Sequence, residues 1–201
     1  LESAITHCKQ VYLLDIQYRM RQAIAGFSSS YFYNNLLQTA AHLHNKGIHI
    51  SFIDTAGSGF AEQSGADGSS LQNEGELRIV RHLLETEGWL PAQTVFISPY
   101  AGQVAAAKEL LPASLRLCTI DSYQGQEQEV VLLSLVRSND TGNIGFLKDY
   151  RRMNVAITRA KEQLVVIGDS ATVGADSFYD QGITYIQQHG AYRTVWELGI
   201  L

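Results

Sequence analysis

Two short runs, VVLLSLV at Val130–Val136 and LVVI at Leu164–Ile167, are apolar at nearly every position. A strand with one wet face alternates. A strand with no polar period is covered on both faces, as in a parallel sheet with helices above and below. Further apolar blocks at Val11–Leu14, Ile48–Ile53, Thr94–Ser98 and Leu115–Ile120 read as strands of the same sheet. Between them, helical periods cover Met20–Phe32, Asn73–Glu87 (stopped by Gly88), Ala101–Leu111 (before Pro112), Tyr150–Lys161 and Asp176–His189. This alternation predicts one open α/β domain across the 201 residues, with right-handed crossovers. The stretch Thr55–Ser70, TAGSGFAEQSGADGSS, has no apolar period, and a flexible loop or insertion is expected over 55–72.

Composition narrows the function classes. Hydrophobic residues at 45% and charged residues at 17% place the chain among ordinary globular proteins rather than disordered ones. No run approaches the roughly twenty apolar residues of a membrane span, so no membrane partner is expected. The first twenty residues lack the basic, apolar and small-residue order of a secretory signal. Cys8 and Cys118 form no C-x-x-C, and His42 and His44 have no carboxylate or cysteine at ligand spacing, so neither a disulfide framework nor a metal site is predicted. The expected setting is reducing and intracellular: cytoplasmic in a bacterium, nuclear or cytoplasmic in a eukaryote. Net charge is −5, yet basic residues gather at Arg19–Arg21 and at Lys148–Lys161. A local patch of that kind can hold a phosphate chain, with salt-dependent affinity.

An α/β domain invites a search for a phosphate loop, and none is present. No G-x-x-x-x-G-K-[ST] occurs, no G-x-G-x-x-G joins a strand to a helix, and GSGF at Gly57–Phe60 leads into an acidic loop. No Asp-Glu pair follows an apolar strand to hold magnesium. These 201 residues alone cannot fully cradle a nucleotide.

Three segments carry chemistry. In RRMNVAITRAK, read as a helix, Met153, Ala156, Ile157 and Ala160 form the buried stripe. Asn154, Thr158 and Lys161 lie on a polar side. Arg152 and Arg159, two turns or about 10.5 Å apart, form a third stripe beside the core. Any one of these arginines alone would pass for a side chain snorkelling over the core. In LDIQYRM, Gln17, Tyr18 and Arg19 offer an amide, an aromatic face and a planar cation. In Thr119–Asn139, TIDSYQGQEQEVVLLSLVRSN, the groups of Ser122, Gln124, Gly125 and Glu127 crowd before a buried strand, where ligands often bind, although a polar turn feeding a core strand would look the same.

In this order the segments resemble the second (C-terminal) RecA-like domain of superfamily 1 helicases, in the branch of the nonsense-mediated-decay helicase. LDIQYRM resembles the block after motif III, ISPYAGQ (Ile97–Gln103) motif IV, TIDSYQGQE motif V, and GFLKDYRRMNVAITRAKEQLVVIGD motif VI. The resemblance covers Val11 to Asp169. It implies a RecA-like, P-loop-NTPase-type three-layer fold lacking its own Walker loop. It also implies ATP shared with an N-terminal RecA-like domain that carries the Walker loop and the Mg2+ ligands. On that pattern Arg19 and Arg159 are the γ-phosphate arginines and Tyr18 stacks on adenine. Gly125 and Glu127 meet the ribose or phosphates, and Gln124 couples the two ligands. Single-stranded DNA or RNA would lie on another edge of the sheet, against Ser98, Pro99, Tyr100, Thr119 and Ser122, bonding phosphates without reading sequence. The family usually continues Q-Y-R-M with His-Pro; Arg21 and Gln22 stand here instead, which alters the start of the next helix. The resulting expectation is the C-terminal motor domain of an ATP-dependent helicase, inactive by itself. The alternative is a helicase-like module that binds or scaffolds nucleic acid without motor activity.

Overall fold

The unbroken apolar runs become the middle of a six-stranded, wholly parallel sheet. The structure, a computed structural model, describes residues 14–65 and 68–200. The expected strand at Val11–Leu14 and the cysteine Cys8 therefore lie outside the described residues, Leu14 apart. In chain order the elements are β1 (Ile16–Gln17), α1 (Gln22–Tyr33), β2 (Gln38–Thr39), β3 (Ile50–Asp54), β4 (Gln63–Ser64), β5 (Leu71–Gln72), α2 (Glu74–Thr86), β6 (Thr94–Ser98), α3 (Ala101–Leu110), β7 (Arg116–Thr119), β8 (Gln128–Ser134), α4 (Tyr150–Ile157), β9 (Ala160–Gly168), α5 (Ser170–Val173), α6 (Ser177–His189) and β10 (Ala191–Thr194). The sheet order is β10-β3-β9-β8-β6-β7, so the two most apolar strands, β8 and β9, sit side by side at its centre.

Alternate residues of these strands feed two cores. Val131 and Leu133 of β8, with Leu164 and Val166 of β9, face α1, α4 and α6. Val130, Leu132, Val165 and Ile167 face α2 and α3. Burial on both sides is why no polar period shows in the sequence. The result is the three-layer α/β fold expected from the alternation.

Local chemistry sets the helix ends. Asn73 caps α2, its side chain accepting from Glu76 N, and Gly88 after its end takes φ +69, a conformation glycine adopts without a steric penalty. Asn34 closes α1 in the left-handed region. The chain runs from α6 into β10 at Gly190, where an added Cβ would stand 2.1 Å from the Ile50 carbonyl oxygen. Gly190→Ala therefore pushes β10 off β3 and is expected to cost about 2 kcal/mol or more, read as a lowered urea midpoint. An unchanged midpoint would contradict that close approach.

The glycine- and serine-rich stretch is tied to the body at several points. Phe60 packs over Gly75, Gln63–Ser64 pairs antiparallel with Leu71–Gln72, and Glu62 bonds Arg137, Ser138 and Asn139. Among the described residues no helix is long and apolar enough to cross a membrane.

Candidate nucleotide site and strand-binding edge

The sequence places Arg152 and Arg159 on one helix; the structure corrects this. The helix stops at Ile157 and β9 begins at Ala160. Thr158 turns its hydroxyl back to donate to the Asn154 carbonyl (2.8 Å), Arg159 N donates to Ala156 O (3.1 Å), and the Arg159 carbonyl accepts from Gln128 N (3.0 Å). Pairing with β8 thus overrides a helical period that continued to Lys161. Arg152 stays on α4 and pairs with Asp121, whereas Arg159 occupies the turn at the start of β9. The buried stripe holds, since Met153, Ala156, Ile157 and Ala160 are all enclosed.

Arg159 is aimed by carbonyl groups. Its Nε donates to Val155 O (2.9 Å) and its Nη1 to Gln126 O (3.0 Å). Arg19 reaches the same place from the other end of the described chain. Gln17 staples the Tyr-Arg-Met turn: its Oε1 accepts from Arg19 N (2.9 Å) and Met20 N (2.8 Å), and its Nε2 donates to Met20 O (2.8 Å) and Thr39 Oγ1 (2.9 Å). The stapled turn projects Arg19 so that Nε donates to Glu127 Oε2 (2.6 Å) and Nη1 to Thr158 O (3.1 Å). Burial lowers the Arg159 pKa, the nearby Arg19 charge lowers it further, and Glu127 opposes both. The Arg159 guanidinium nonetheless remains charged at working pH. Two cations against one half-exposed carboxylate leave the cluster net positive and ready for an anion.

The rest of the predicted nucleotide set lies around this cluster unevenly. Gln124 and Gly125 are exposed. Gln124 (φ −60, ψ 136) and Gly125 (φ +83) are the central pair of a type II turn closed by Gln126 N to Tyr123 O, 3.3 Å. The turn itself requires glycine at that second central position. Tyr123 anchors the loop from below, buried, with its hydroxyl donating to Glu127 O (3.2 Å) and the Arg116 guanidinium 4.9 Å over its ring. Tyr18 is 69% exposed, and its ring lies 6.4 Å from His42, stacked at 25°. Arg21, in the departure from the family pattern, ion-pairs with Glu162 (2.7 Å), and its backbone N bonds Lys161 O, so α1 starts pinned to β9.

The predicted strand-binding residues lie at the opposite ends of the strands. Glu127 and Arg159 stand just before β8 and β9; Ser98 and Thr119 are register partners that end β6 and β7. The length of β8 separates the two ends by roughly 20 Å. Thr119 and Ser122 form one unit, with hydroxyls 3.0 Å apart and Ser122 Oγ also bonding Thr119 N and O. Pro99 is half-buried. Ser98 and Tyr100 are enclosed, and Ser98 Oγ accepts from Tyr100 N (3.3 Å), so the Ser98 hydroxyl shapes the loop and faces no solvent.

Residue types alone did not point to the polar network beneath this edge. Gln103 bonds Asn73 and Ser134, and Ser134 and the Val136 N–H bond Glu76, all buried. The available signal was a glutamate in an otherwise buried helical stripe. Arg137 had no sequence signal of its own, and Phe146 lay inside the motif VI block without being singled out.

The family whose description is "AAA domain" matches residues 1–171. The chain belongs to that family. Its relatives are superfamily 1 helicases, as the motif blocks indicated. It is 36% identical to the DNA-binding protein SMUBP-2 of Mesocricetus auratus, covering 93% of the chain and 21% of that protein. It is 31% identical to the regulator of nonsense transcripts 1 homolog of Arabidopsis thaliana (88% and 16%), and 32% identical to an uncharacterized ATP-dependent helicase of Methanocaldococcus jannaschii (86% and 29%). The chain thus spans less than a third of the length of these relatives.

Proposed function

We propose that this helicase-family domain closes on the triphosphate of ATP bound to a partner RecA-like domain and moves along a single strand of DNA or RNA. The observation that carries this reading is the approach of Arg19 and Arg159, from distant parts of the chain, with Glu127 ion-paired to Arg19 and its charge felt by Arg159. A net positive, partly exposed pair of forked cations fits a triphosphate. Arg159 and Arg19 would act on the γ-phosphate, and Tyr18 offers an exposed ring for adenine. Glu127 and the Gln124–Gly125 turn lie where ribose or phosphate oxygens would be met. The magnesium that accompanies ATP supplies charge neutralisation at the phosphates, with its ligands on the partner domain. At the far ends of the strands, the Thr119–Ser122 pair offers hydroxyls to a backbone without reading bases.

The arginines here orient and stabilise charge; they do not activate water. Two measurements follow. The 201-residue chain alone is expected to show no ATP turnover above background, and a full-length protein that joins it to the proposed N-terminal RecA-like domain to hydrolyse ATP faster when single-stranded oligonucleotide is added. Substantial turnover by the chain alone, or none by the full-length protein with strand present, would overturn the shared-site reading.

A further inference from the structure

Arg19 and Arg159 come to one place on different terms. Arg159 is held by the neutral Val155 and Gln126 carbonyls, which leave its charge uncancelled, and its Nη2 meets Thr158 Oγ1 only at 3.5 Å. Arg19 is held by a carboxylate. Glu127 Oε2 takes its Nε at 2.6 Å, while Thr158 O takes its Nη1 at 3.1 Å. One cation stands open to an anion and the other already has one.

The Arg19–Glu127 pair can come apart without disturbing the fold. Its side chains are 35% and 46% exposed, a setting in which water and salt screen the attraction. The backbone on either side is fixed independently of the pair. The Gln17 side-chain oxygen accepts from Arg19 N and Met20 N, and the Tyr123 hydroxyl donates to the Glu127 carbonyl. Only two side chains need to turn. A second cation lies near the carboxylate: Lys161, which donates to Glu129 Oε1 at 2.6 Å. That bond raises the Lys161 pKa, and against the effect of burial the charges of Glu129, Glu127 and Glu162 raise it further. The field of Lys161 therefore reaches Glu127 whether or not Arg19 is bound to it.

We propose that Glu127 is a lock on Arg19, occupying the guanidinium until a polyphosphate displaces the carboxylate. A phosphate oxygen and Glu127 Oε2 compete for the same Nε–H, and each is a charged acceptor suited to it. The resting domain thus shows an arriving anion one free guanidinium. The second is delivered only to a ligand with enough charge to win the exchange, as a triphosphate has. The inference rests on the shared-ATP-site reading and adds a resting state to it.

The test uses a full-length protein that joins this domain to the proposed N-terminal RecA-like domain. The probe is inorganic tripolyphosphate, which has neither sugar nor base, and its affinity is read by titration calorimetry. Glu127→Gln keeps an oxygen for Arg19 Nε but removes the charge, and is expected to tighten tripolyphosphate about fivefold. Glu127→Asp, which keeps the charge but draws it back from Nε, should give part of that gain. In an Arg19→Gln background neither change should matter, because no cation is left to release. Equal gains with and without Arg19 would show that Glu127 merely repels the anion, and weaker binding by Glu127→Gln would show that it serves the bound ligand. Either result overturns the lock and leaves the shared site standing. A native protein that binds neither tripolyphosphate nor ATP overturns both.

Discussion

Replacing Arg159 with alanine in the full-length protein is expected to lower strand-stimulated ATP turnover by about 10³–10⁵, with nucleotide affinity largely kept. The size follows from what the side chain would do. A guanidinium placed on the transferred phosphate stabilises charge that develops only in the transition state, worth roughly 4–7 kcal/mol of barrier. Its aim is set in advance by the Val155 and Gln126 carbonyls, so little reorganisation accompanies closure. Arg159→Lys should recover only a small part, because a single ammonium cannot both hold those carbonyls and reach the phosphate. Quench-flow turnover beside equilibrium binding of a fluorescent ATP analogue separates the two effects. Turnover at the native level would remove Arg159 from the reaction. A parallel loss of affinity and melting temperature would assign it a folding role instead.

Glu76 has the second large expected effect, on stability against pH. Burial raises its pKa from the ordinary 4.5 to about 8, although the Ser134 hydroxyl and Val136 N–H partly oppose the rise. A carboxyl whose folded pKa is raised keeps its proton in the folded chain while the unfolded chain loses it. Its contribution is therefore fully present below about pH 4.5 and is lost as pH climbs to about 8, a fall on the order of 4 kcal/mol. Glu76→Gln should flatten that slope, since the amide oxygen can still accept from Val136 N and the amide nitrogen can donate to Ser134. Above about pH 8 the variant should be the more stable protein. Glu76→Ala instead strands a buried N–H and frees the γ-turn centred on Val136 (φ +71, Arg137 N to Leu135 O 2.8 Å), with an expected loss of about 3 kcal/mol or more at pH 4.5 that shrinks as pH rises towards 8, because the titrating carboxyl is gone. Urea unfolding at a series of pH values reads all three proteins, and parallel curves for the native protein and Glu76→Gln would refute the assignment.

Elements whose local pattern and tertiary pairing agree were readable from residues alone. The strand at Thr94–Ser98 appears with the expected ends, and the helix between Asn73 and Gly88 starts and stops on its own capping groups. The stretch Arg151–Lys161 shows where such reading fails. Its helical period continues past Ile157, but ladder bonds from Gln128 draw Ala160 into the sheet, and those bonds are contributed by residues some thirty positions away. The same holds for the site. Arg19, Arg159 and Glu127 could be named from motif blocks, yet the Arg19–Glu127 pairing and the nearness of Arg159 depend on strand order. Gln17, which looked like one more polar side chain near an arginine, turns out to be the brace of the whole Tyr-Arg-Met turn. Arg137 was invisible because its position depends on a strained turn that buried partners enforce.

β8 leads from Glu127, the ion-pair partner of Arg19, to the γ-turn centred on Val136. It is laced to β6 on one flank and β9 on the other, and it is packed on both faces. A rod clamped on four sides can neither shorten nor bow. If the proposed nucleotide and strand sites flank it, its two ends would move as one body with the sheet, like the head and tip of a piston.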